Sequence, residues 1–277
     1  MYVFHYFIPF VSGLVIGSFL NCVIYRLEKE ESFLKGRSYC PNCKHILNWQ
    51  DLIPVVSFLW LKGQCRYCQK PISWQYPMVE LATGLMFLLI FLASRDLAQP
   101  DNFLLFNTVY LWVLTSLLIV IFVYDLRHYI IPDSIVYPGI IIAVLYRLFG
   151  IWNFGNWDIC LLAQFWCGGE FWVYDLGFSI LPAFVLLAII LFSGGRWMGM
   201  GDFKLAILMG LILGWPNILF ALFSAFSLGA IIGLGLIATK KKGLKSEIPF
   251  GPFLITGTFL AIFWGQKAID WYLGLIL

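Results

Sequence analysis

The chain has 277 residues, of which 61% are hydrophobic and only 12% are charged. Soluble domains carry about 25% charged residues, so this composition excludes an ordinary soluble protein and predicts a polytopic membrane protein. The net charge of +3 does not indicate binding to nucleic acid. The first ten residues contain no Lys or Arg, so we predict that the first apolar run is a retained span and not a cleaved signal peptide.

Eight apolar runs are candidate membrane-spanning helices. In chain order they cover residues 7–25, 77–93, 103–124, 134–149, 176–193, 203–214, 218–238 and 252–274. The run 203–214 is short, because its residues rise only about 18 Å against a hydrocarbon core of about 30 Å. It is either a short crossing or one part of a broken element with 218–238. The sequence Gly214-Trp215-Pro216-Asn217 is a turn signal and favours two separate elements.

Basic residues fall mostly on one side of this arrangement. With eight spans, that side receives the loops 26–76, 125–133, 194–202 and 239–251. All Lys and Arg residues lie in these loops, or just beyond one of them at Lys204, except Arg95, Arg147 and Lys267. Basic loops stay in the cytoplasm, so this side is predicted to be cytoplasmic and both termini to lie outside. The predicted fold is an all-α polytopic membrane protein with about eight transmembrane helices.

Residues 26–76 form the one large polar segment, and they contain two C-x₂-C pairs. These pairs are Cys40 with Cys43 and Cys65 with Cys68. The spacing is typical of a tetrahedral zinc site with four thiolate ligands, which leaves no open position and is therefore structural. The alternatives are reactive thiols or disulfides, and the cytoplasmic location disfavours disulfides. His45 is predicted to be a polar neighbour of the site and not a ligand.

The chain is accordingly predicted to have three parts. Residues 1–25 form the first transmembrane helix, 26–76 a small zinc-binding cytoplasmic domain, and 77–277 the remaining transmembrane domain. Cys160 and Cys167 lie in an outside loop, where a disulfide and two unlinked thiols are equally compatible with the sequence.

Two carboxylates stand at the ends of apolar runs. Asp125 ends one run, and Asp202 follows two glycines and precedes another. Ionisable groups at membrane depth are costly and mark functional sites. The two lie on the same predicted side, so they can form an aspartyl pair in which one carboxylate and one carboxylic acid share a water. Gly199 and Gly201 are expected to let backbone approach a substrate closely.

Four other polar residues have weaker assignments. Lys204 either positions the site or extends to the membrane interface. Glu80, inside an apolar run, either has a functional role or makes an inward polar contact between helices. Asp133 follows a proline and is expected to cap the next span. His128 can reach Asp125, although it lies in a polar turn where solvation satisfies it.

Several motifs together resemble those of the type IV prepilin peptidases. They are Gly17-Ser18-Phe19-Leu20-Asn21-Cys22-Val23-Ile24-Tyr25-Arg26-Leu27, the paired cysteine motifs, Tyr76-Pro77-Met78-Val79-Glu80, Asp125 with Ile131-Pro132-Asp133, Gly199-Met200-Gly201-Asp202, and Pro249-Phe250-Gly251-Pro252-Phe253-Leu254. The resemblance extends from about residue 12 to residue 254. A lone GxGD sequence would be weak evidence, but the whole set in this order is specific.

The resemblance implies a bifunctional enzyme of the bacterial inner membrane. Such enzymes cleave the basic leader from prepilins and pseudopilins, and many then methylate the new N-terminal amine with S-adenosylmethionine. Asp125 and Asp202 would be catalytic, and Glu80 would bind the prepilin amine or serve methyl transfer. The termini, predicted above to lie outside, would be periplasmic. Two other hypotheses stay open: a peptidase without methyltransferase activity whose zinc domain docks substrate, and a cation transporter in which the two aspartates are ligands.

Overall fold

The computed structural model describes residues 2–32, 36–95, 101–154, 172–239 and 248–276. Within these ranges the chain is helical, apart from loops and two isolated bridges, Tyr39 with Ile46 and Gln64 with Pro71. The helices are α1 (Tyr2–Glu28), α2 (Val56–Trp60), α3 (Gln75–Arg95), α4 (Asp101–His128), α5 (Asp133–Phe154), α6 (Trp172–Ser193), α7 (Met200–Leu213), α8 (Asn217–Ala238), α9 (Gly251–Leu260) and α10 (Gln266–Ile276).

Each of the eight predicted apolar runs is helical where it is described. Five helical segments within the described residues are long and apolar enough to cross a membrane: Tyr6–Glu28, Gln75–Ser94, Leu104–His128, Leu176–Ser193 and Asn217–Ala238. In its described residues the chain is therefore an all-helical membrane protein, as its composition and its apolar runs predicted.

The two irregular parts of the pattern have local causes. The helix α7 ends at Leu213, and α8 begins at Asn217 after Gly214, whose φ of 71° favours glycine. The turn signal therefore correctly separated two elements. The run 252–274 was predicted as one helix, but one π-helical turn, Ala261–Gly265, interrupts it between α9 and α10. A Cβ on Gly265 would lie 2.7 Å from Asn217 Oδ1, so the glycine permits a close contact with α8 at this turn.

The helices divide into two compact units, Met1–Val120 and Ile121–Leu277. In the first unit, α1 packs closely on α3 because two glycines one turn apart face α3. A Cβ on Gly13 would lie 2.7 Å from Gly84 Cα, and one on Gly17 would lie 2.7 Å from Glu80 Cα. Small residues at these positions allow the two backbones to approach, and this places Glu80 beside α1.

In the second unit, α7 is the most enclosed helix. All its residues from Leu205 to Leu213 are buried except Ile207, and it packs against α5, α6, α8 and α9. Gly210 rests on the backbone of Ser179, so that α6 and α7 meet without intervening side chains. Arg147 of α5 donates through Nε to the Leu211 carbonyl at 2.9 Å, which satisfies a group at the C-terminal end of α7. The N-terminal end of this buried helix carries Asp202.

Candidate functional site

Asp202 lies in the first turn of α7 and is only 8% exposed. The Gly199 N–H donates to its Oδ2 at 3.1 Å, and the Asp202 N–H donates to the Gly199 carbonyl at 3.2 Å. A carboxylate at a helix N-terminus is stabilised by the free N–H groups and by the helix dipole. The GxGD sequence therefore holds Asp202 in a fixed orientation.

Asp125 lies in the last turn of α4 and is 3% exposed. A carboxylate near the C-terminus of its own helix is unfavourable, so it needs a donor from elsewhere. The backbone N–H of Gly251, at the start of α9, supplies that hydrogen bond. Each aspartate thus accepts a hydrogen bond from a backbone N–H at or just before the start of a helix.

These two aspartates belong to the same unit, and their carboxylates are close enough to interact electrostatically. Ile131, in the turn after α4, contacts both glycine-containing motifs. A Cβ on Gly201 would lie 2.9 Å from Ile131 Cβ, and one on Gly251 would lie 3.3 Å from Ile131 Cδ1. The structure therefore brings together three motifs separated in sequence: the end of α4, the GxGD turn and the Pro249–Leu254 segment.

The three glycines around the aspartates have different roles. A Cβ on Gly251 would lie 2.5 Å from Asp125 Oδ2, a separation that side chains do not adopt. At Gly201 the close approach is to Ile131, whereas the sequence suggested an approach to substrate. A Cβ on Gly199 would meet nothing nearer than Asp202 Oδ2 at 3.8 Å, and its φ of −86° suits any residue. Only Gly201 and Gly251 are required by packing.

Polar residues beside the pair are mutually satisfied. Lys204 Nζ donates to both carboxylate oxygens of Asp133, at 2.7 and 2.8 Å, and lies 5.2 Å from the centre of the Tyr137 ring. Asp133 is the first residue of α5, where an acidic side chain is favourable. The His128 ring stacks at an angle against that of Tyr124, with centroids 4.5 Å apart. The Lys204–Asp133 contact links α7 to α5, whereas the His128–Tyr124 contact lies within α4.

The four predicted metal ligands converge in the first unit. The Sγ atoms of Cys40, Cys43, Cys65 and Cys68 all lie within 4.8 Å of one another, and those of Cys40 and Cys68 are 3.9 Å apart. Burial raises the pKa of the Cys40 thiol, but hydrogen bonds from the Cys43 and Asn42 backbone and from the Cys65 and Cys43 thiols outweigh burial and lower the pKa to about 7. The Lys70 backbone N–H lowers the pKa of the Cys68 thiol, but burial and hydrogen bonds with the Cys65, Cys43 and Cys40 thiols outweigh it and raise the pKa to about 11. A metal ion binds thiolates and would displace the protons that these thiols share, so the four convergent Sγ atoms suit a tetrathiolate metal site.

The two C-x₂-C turns have the same backbone structure. In the first, the Cys40 N–H donates to His45 O and the Lys44 N–H to Cys40 O; in the second, the Cys65 N–H donates to Lys70 O and the Gln69 N–H to Cys65 O, and all four distances are 2.9 Å. Lys44 and Gln69 both adopt positive φ values, 60° and 56°. The repetition means that each turn presents two thiols in equivalent geometry, which the sequence spacing alone did not reveal.

Aromatic and ionic contacts join the two turns. The His45 ring stacks on Tyr67 with centroids 3.6 Å apart, so His45 is a packing neighbour and lies outside the group of ligand atoms. Asp51, whose side chain is 4% exposed, accepts from Arg66 Nε at 2.8 Å and from the Tyr67 hydroxyl at 3.2 Å. The Asn48 amide donates to the Tyr67 oxygen at 2.9 Å. These contacts stabilise the second turn against the segment that precedes α2.

Glu80 connects the polar segment to the membrane helices. It is 7% exposed, accepts the Val55 N–H through Oε2 at 2.8 Å, and is also hydrogen-bonded by Ser18 of α1. Val55 has a φ of 61°, which is strained for a β-branched residue and orients its N–H toward Glu80. Sequence reasoning offered an interhelical contact and a ligand role as alternatives; the hydrogen bond with Ser18 is such an interhelical contact, and the ligand role stays a prediction.

The sequence did not reveal the partners of the site residues. The Gly251 donor, the Ile131 contact and the Val55–Glu80 bond all join distant segments. One available signal was Pro252 after Gly251: proline is favoured in the first turn of a helix, so the pair indicates a helix start with free N–H groups near Gly251. Cys160, Cys167 and the basic segment from Lys240 to Lys245 lie outside the described residues.

Comparisons with known proteins agree with this organisation. Residues 11–94 match the Bacterial Peptidase A24 N-terminal domain, and residues 112–234 match the Type IV leader peptidase family. A protein of Aeromonas salmonicida named prepilin leader peptidase/N-methyltransferase is 33% identical, over 99% of this chain and 95% of its own length. Proteins of the same name from Legionella pneumophila and Bacillus subtilis are 32% and 30% identical, each over 98% of this chain and over 95% and 98% of their own lengths.

No solved structure matches the chain. The sequence relatives cover nearly the whole of it and nearly the whole of themselves, so the similarity is not limited to one domain. On these matches, the chain belongs to the type IV leader peptidase family and is an enzyme of that family.

Proposed function

We propose that this enzyme cleaves the leader peptide from type IV prepilins and pseudopilins by an aspartyl mechanism. The observation that carries the proposal is the approach of two buried carboxylates, Asp125 and Asp202, from the end of α4 and the start of α7. The family match and the names of the relatives support the substrate class. A cation transporter with aspartate ligands has no support in these comparisons.

In the proposed reaction, the two aspartates divide the roles of base and acid. The ionised carboxylate takes a proton from a water molecule as the water attacks the scissile carbonyl carbon. The protonated carboxyl donates to the carbonyl oxygen, and a proton returns to the leaving amine as the tetrahedral intermediate collapses. The N–H groups of Gly199 and Gly251 fix the orientation of the two carboxylates, so that both face one water.

The Asp-to-Asn variants test this assignment. Asn has the shape of Asp but cannot exchange the proton, so Asp125→Asn and Asp202→Asn should each lower the rate of leader cleavage at least about 100-fold. The matched control is Asp270→Asn, because Asp270 is an exposed aspartate bonded only locally to Gln266. The measurement is cleavage of a purified prepilin in vesicles. Substantial activity in either site variant would remove that aspartate from the mechanism.

We further propose that the chain crosses the bacterial inner membrane eight times, with the active site at the cytoplasmic face and both termini in the periplasm. The distribution of basic residues supports this arrangement. It divides the chain into a first transmembrane helix (1–25), a cytoplasmic domain (26–76) and a peptidase domain (77–277). A reporter that is active only in the periplasm, fused after Leu277, should be active. An active cytoplasmic reporter at the same position would contradict the eight-span arrangement.

The second proposed activity is N-methylation of the new N-terminal residue, with S-adenosylmethionine as methyl donor. The relatives' names support it. The cytoplasmic segment is the large polar part of the chain, and a hydrophilic cofactor needs such a surface. Glu80 joins that segment to α3 and is our candidate for the boundary of the cofactor site. Product mass after incubation with and without the donor separates this enzyme from a peptidase that does not methylate.

Zinc is the metal that fits the cysteine cluster best. Four thiolates would hold the zinc, those of Cys40, Cys43, Cys65 and Cys68. Each of the two equivalent turns would supply two of them. A closed tetrathiolate site leaves no position for water or substrate, so the metal would stabilise the fold of the segment. The cysteine-containing segment, held in shape by the metal, would then position the surface that binds prepilin or the methyl donor.

A further inference from the structure

The short helix α2 exposes apolar side chains that the proposed reactions do not use. Trp60 is 83% exposed, Leu59 65% and Val56 52%. We call these three residues the α2 surface. On the other side of the helix, Phe58 is buried against the Trp74 ring, with centroids 5.0 Å apart, and against Gly63. One side of the helix is therefore packed, and the other side is largely exposed.

Two contacts hold α2 beside the start of a membrane-spanning helix. Trp74, which packs on Phe58, directly precedes α3. Val55, which directly precedes α2, donates its N–H to Glu80 in the second turn of α3. The span Gln75–Ser94 begins in the same place. These contacts attach α2 to the end of a membrane helix at two points, so its exposed surface cannot lie far from the headgroup region.

The chemistry of the surrounding residues suits lipid headgroups. Trp74 is 70% exposed, and Trp is enriched where a membrane meets water because its ring is apolar and its N–H is polar. Lys62, two residues after Trp60, is exposed and basic, as is Lys70. The one acidic residue between 36 and 74 is Asp51, whose carboxylate is buried and paired with Arg66. Anionic phospholipids would meet basic and aromatic side chains here.

We propose that the α2 surface inserts into the cytoplasmic headgroup layer of the membrane that α1 and α3 cross. The occupant of the surface is therefore lipid, because the helix is fixed at the membrane boundary and combines exposed Trp and Leu with basic neighbours. This interfacial contact would fix the height of the cysteine-containing segment relative to the bilayer. The inference rests on the proposed membrane spans and on the proposed cytoplasmic placement of residues 26–76, and it is independent of the proposed cleavage chemistry.

Site-specific photo-crosslinking in the full-length protein tests the proposal. The photoreactive residue benzoylphenylalanine replaces Trp60 in one variant and, as a control, the exposed polar residue Asn42 of the first cysteine turn in another. Each variant is reconstituted in vesicles of phosphatidylethanolamine and phosphatidylglycerol and irradiated. We expect the yield of phospholipid adduct, measured by intact mass, to be at least about fivefold higher at position 60 than at position 42.

A second measurement, with the probe at a different position, shows whether the adduct at position 60 arises only because the bulky probe itself is apolar. With the probe at Val56, the substitutions Leu59→Ser and Trp60→Ser should lower the lipid adduct severalfold, since they remove most of the apolar surface. Both residues are exposed, so the packed side of α2 is unchanged. Cross-links from position 60 to a second copy of the chain or to added prepilin, in place of lipid, would overturn the proposal. Equal lipid adduct at positions 42 and 60 would overturn it as well.

Discussion

At the scale of single residues, the two aspartate carboxylates depend on glycines that donate backbone N–H groups to them and that, at Gly251, leave space where a Cβ would clash. Gly251 is the clearest case, because it donates its N–H to Asp125 and leaves no room for a Cβ beside the same carboxylate. Gly199 also donates to an aspartate, but has space for a methyl group. Alanine at either position keeps the backbone N–H, so a comparison of the two positions isolates the effect of the lost space beside Asp125.

Gly251→Ala should reduce leader cleavage about 100-fold, because moving a catalytic group by about 1 Å has effects of this size. Gly199→Ala should stay close to the unsubstituted enzyme, since the added methyl group meets only ordinary contacts. The measurement is the initial rate of prepilin cleavage with equal amounts of each inserted variant. Equal rates for the two alanine variants would show that the space beside Asp125 is not needed for catalysis.

The positions of the site residues were predictable from sequence, but their partners were not. Asp202 after two glycines and Asp125 at the end of an apolar run are local patterns, and both side chains are buried at helix ends. The Gly251 N–H and the Ile131 side chain reach them from other parts of the chain. Such contacts depend on how the helices pack against one another, and helix packing cannot be predicted from the local patterns of a single sequence.

At the scale of elements, helix existence was easier to predict than helix continuity. All eight apolar runs are helical where described, and the turn between α7 and α8 has its predicted place. The π-helical turn before α10 was missed, because nothing in the local sequence distinguishes Gly265 from a glycine inside a regular helix. At this turn Gly265 packs closely against Asn217 of α8, a contact between segments that are distant in the sequence. The equivalence of the two cysteine turns was also missed, because it lies in their backbone hydrogen bonds and not in their residue spacing.

Because the two turns are equivalent, we expect them to contribute equally to metal binding. Elemental analysis of the purified enzyme should find about one zinc per chain. Cys40→Ser with Cys43→Ser, and Cys65→Ser with Cys68→Ser, should each release it completely, while Cys22→Ser in α1 should retain it. A folded enzyme that is isolated without metal under reducing conditions would contradict the assignment, and so would a pair variant that keeps its zinc.

At the scale of the whole molecule, the cysteine cluster and the aspartates belong to different units. The cluster lies in Met1–Val120, and both aspartates lie in Ile121–Leu277. If the first unit carries the methyl-transfer surface, loss of the metal should affect the two reactions differently.

The zinc-free pair variants should lose methylation at least as strongly as they lose cleavage. The reason is that the proposed aspartyl chemistry uses no residue of the cysteine segment. A two-step assay measures each reaction alone: product mass with prepilin as substrate, and product mass with already cleaved pilin and S-adenosylmethionine. Cys22→Ser is the control. Normal methylation with defective cleavage would instead assign the segment to docking of the peptidase substrate.

The order of the cysteine turns along the chain also has a consequence for how the protein is made. The last cysteine of the cluster, Cys68, is synthesised before α3, and α3 with Glu80 is synthesised before either aspartate. The N-terminal unit can therefore reach its final structure while the ribosome is still translating the peptidase part, as domains of nascent chains do. Defects in the aspartates should leave that early folding step intact, and metal content then reports on biogenesis separately from catalysis.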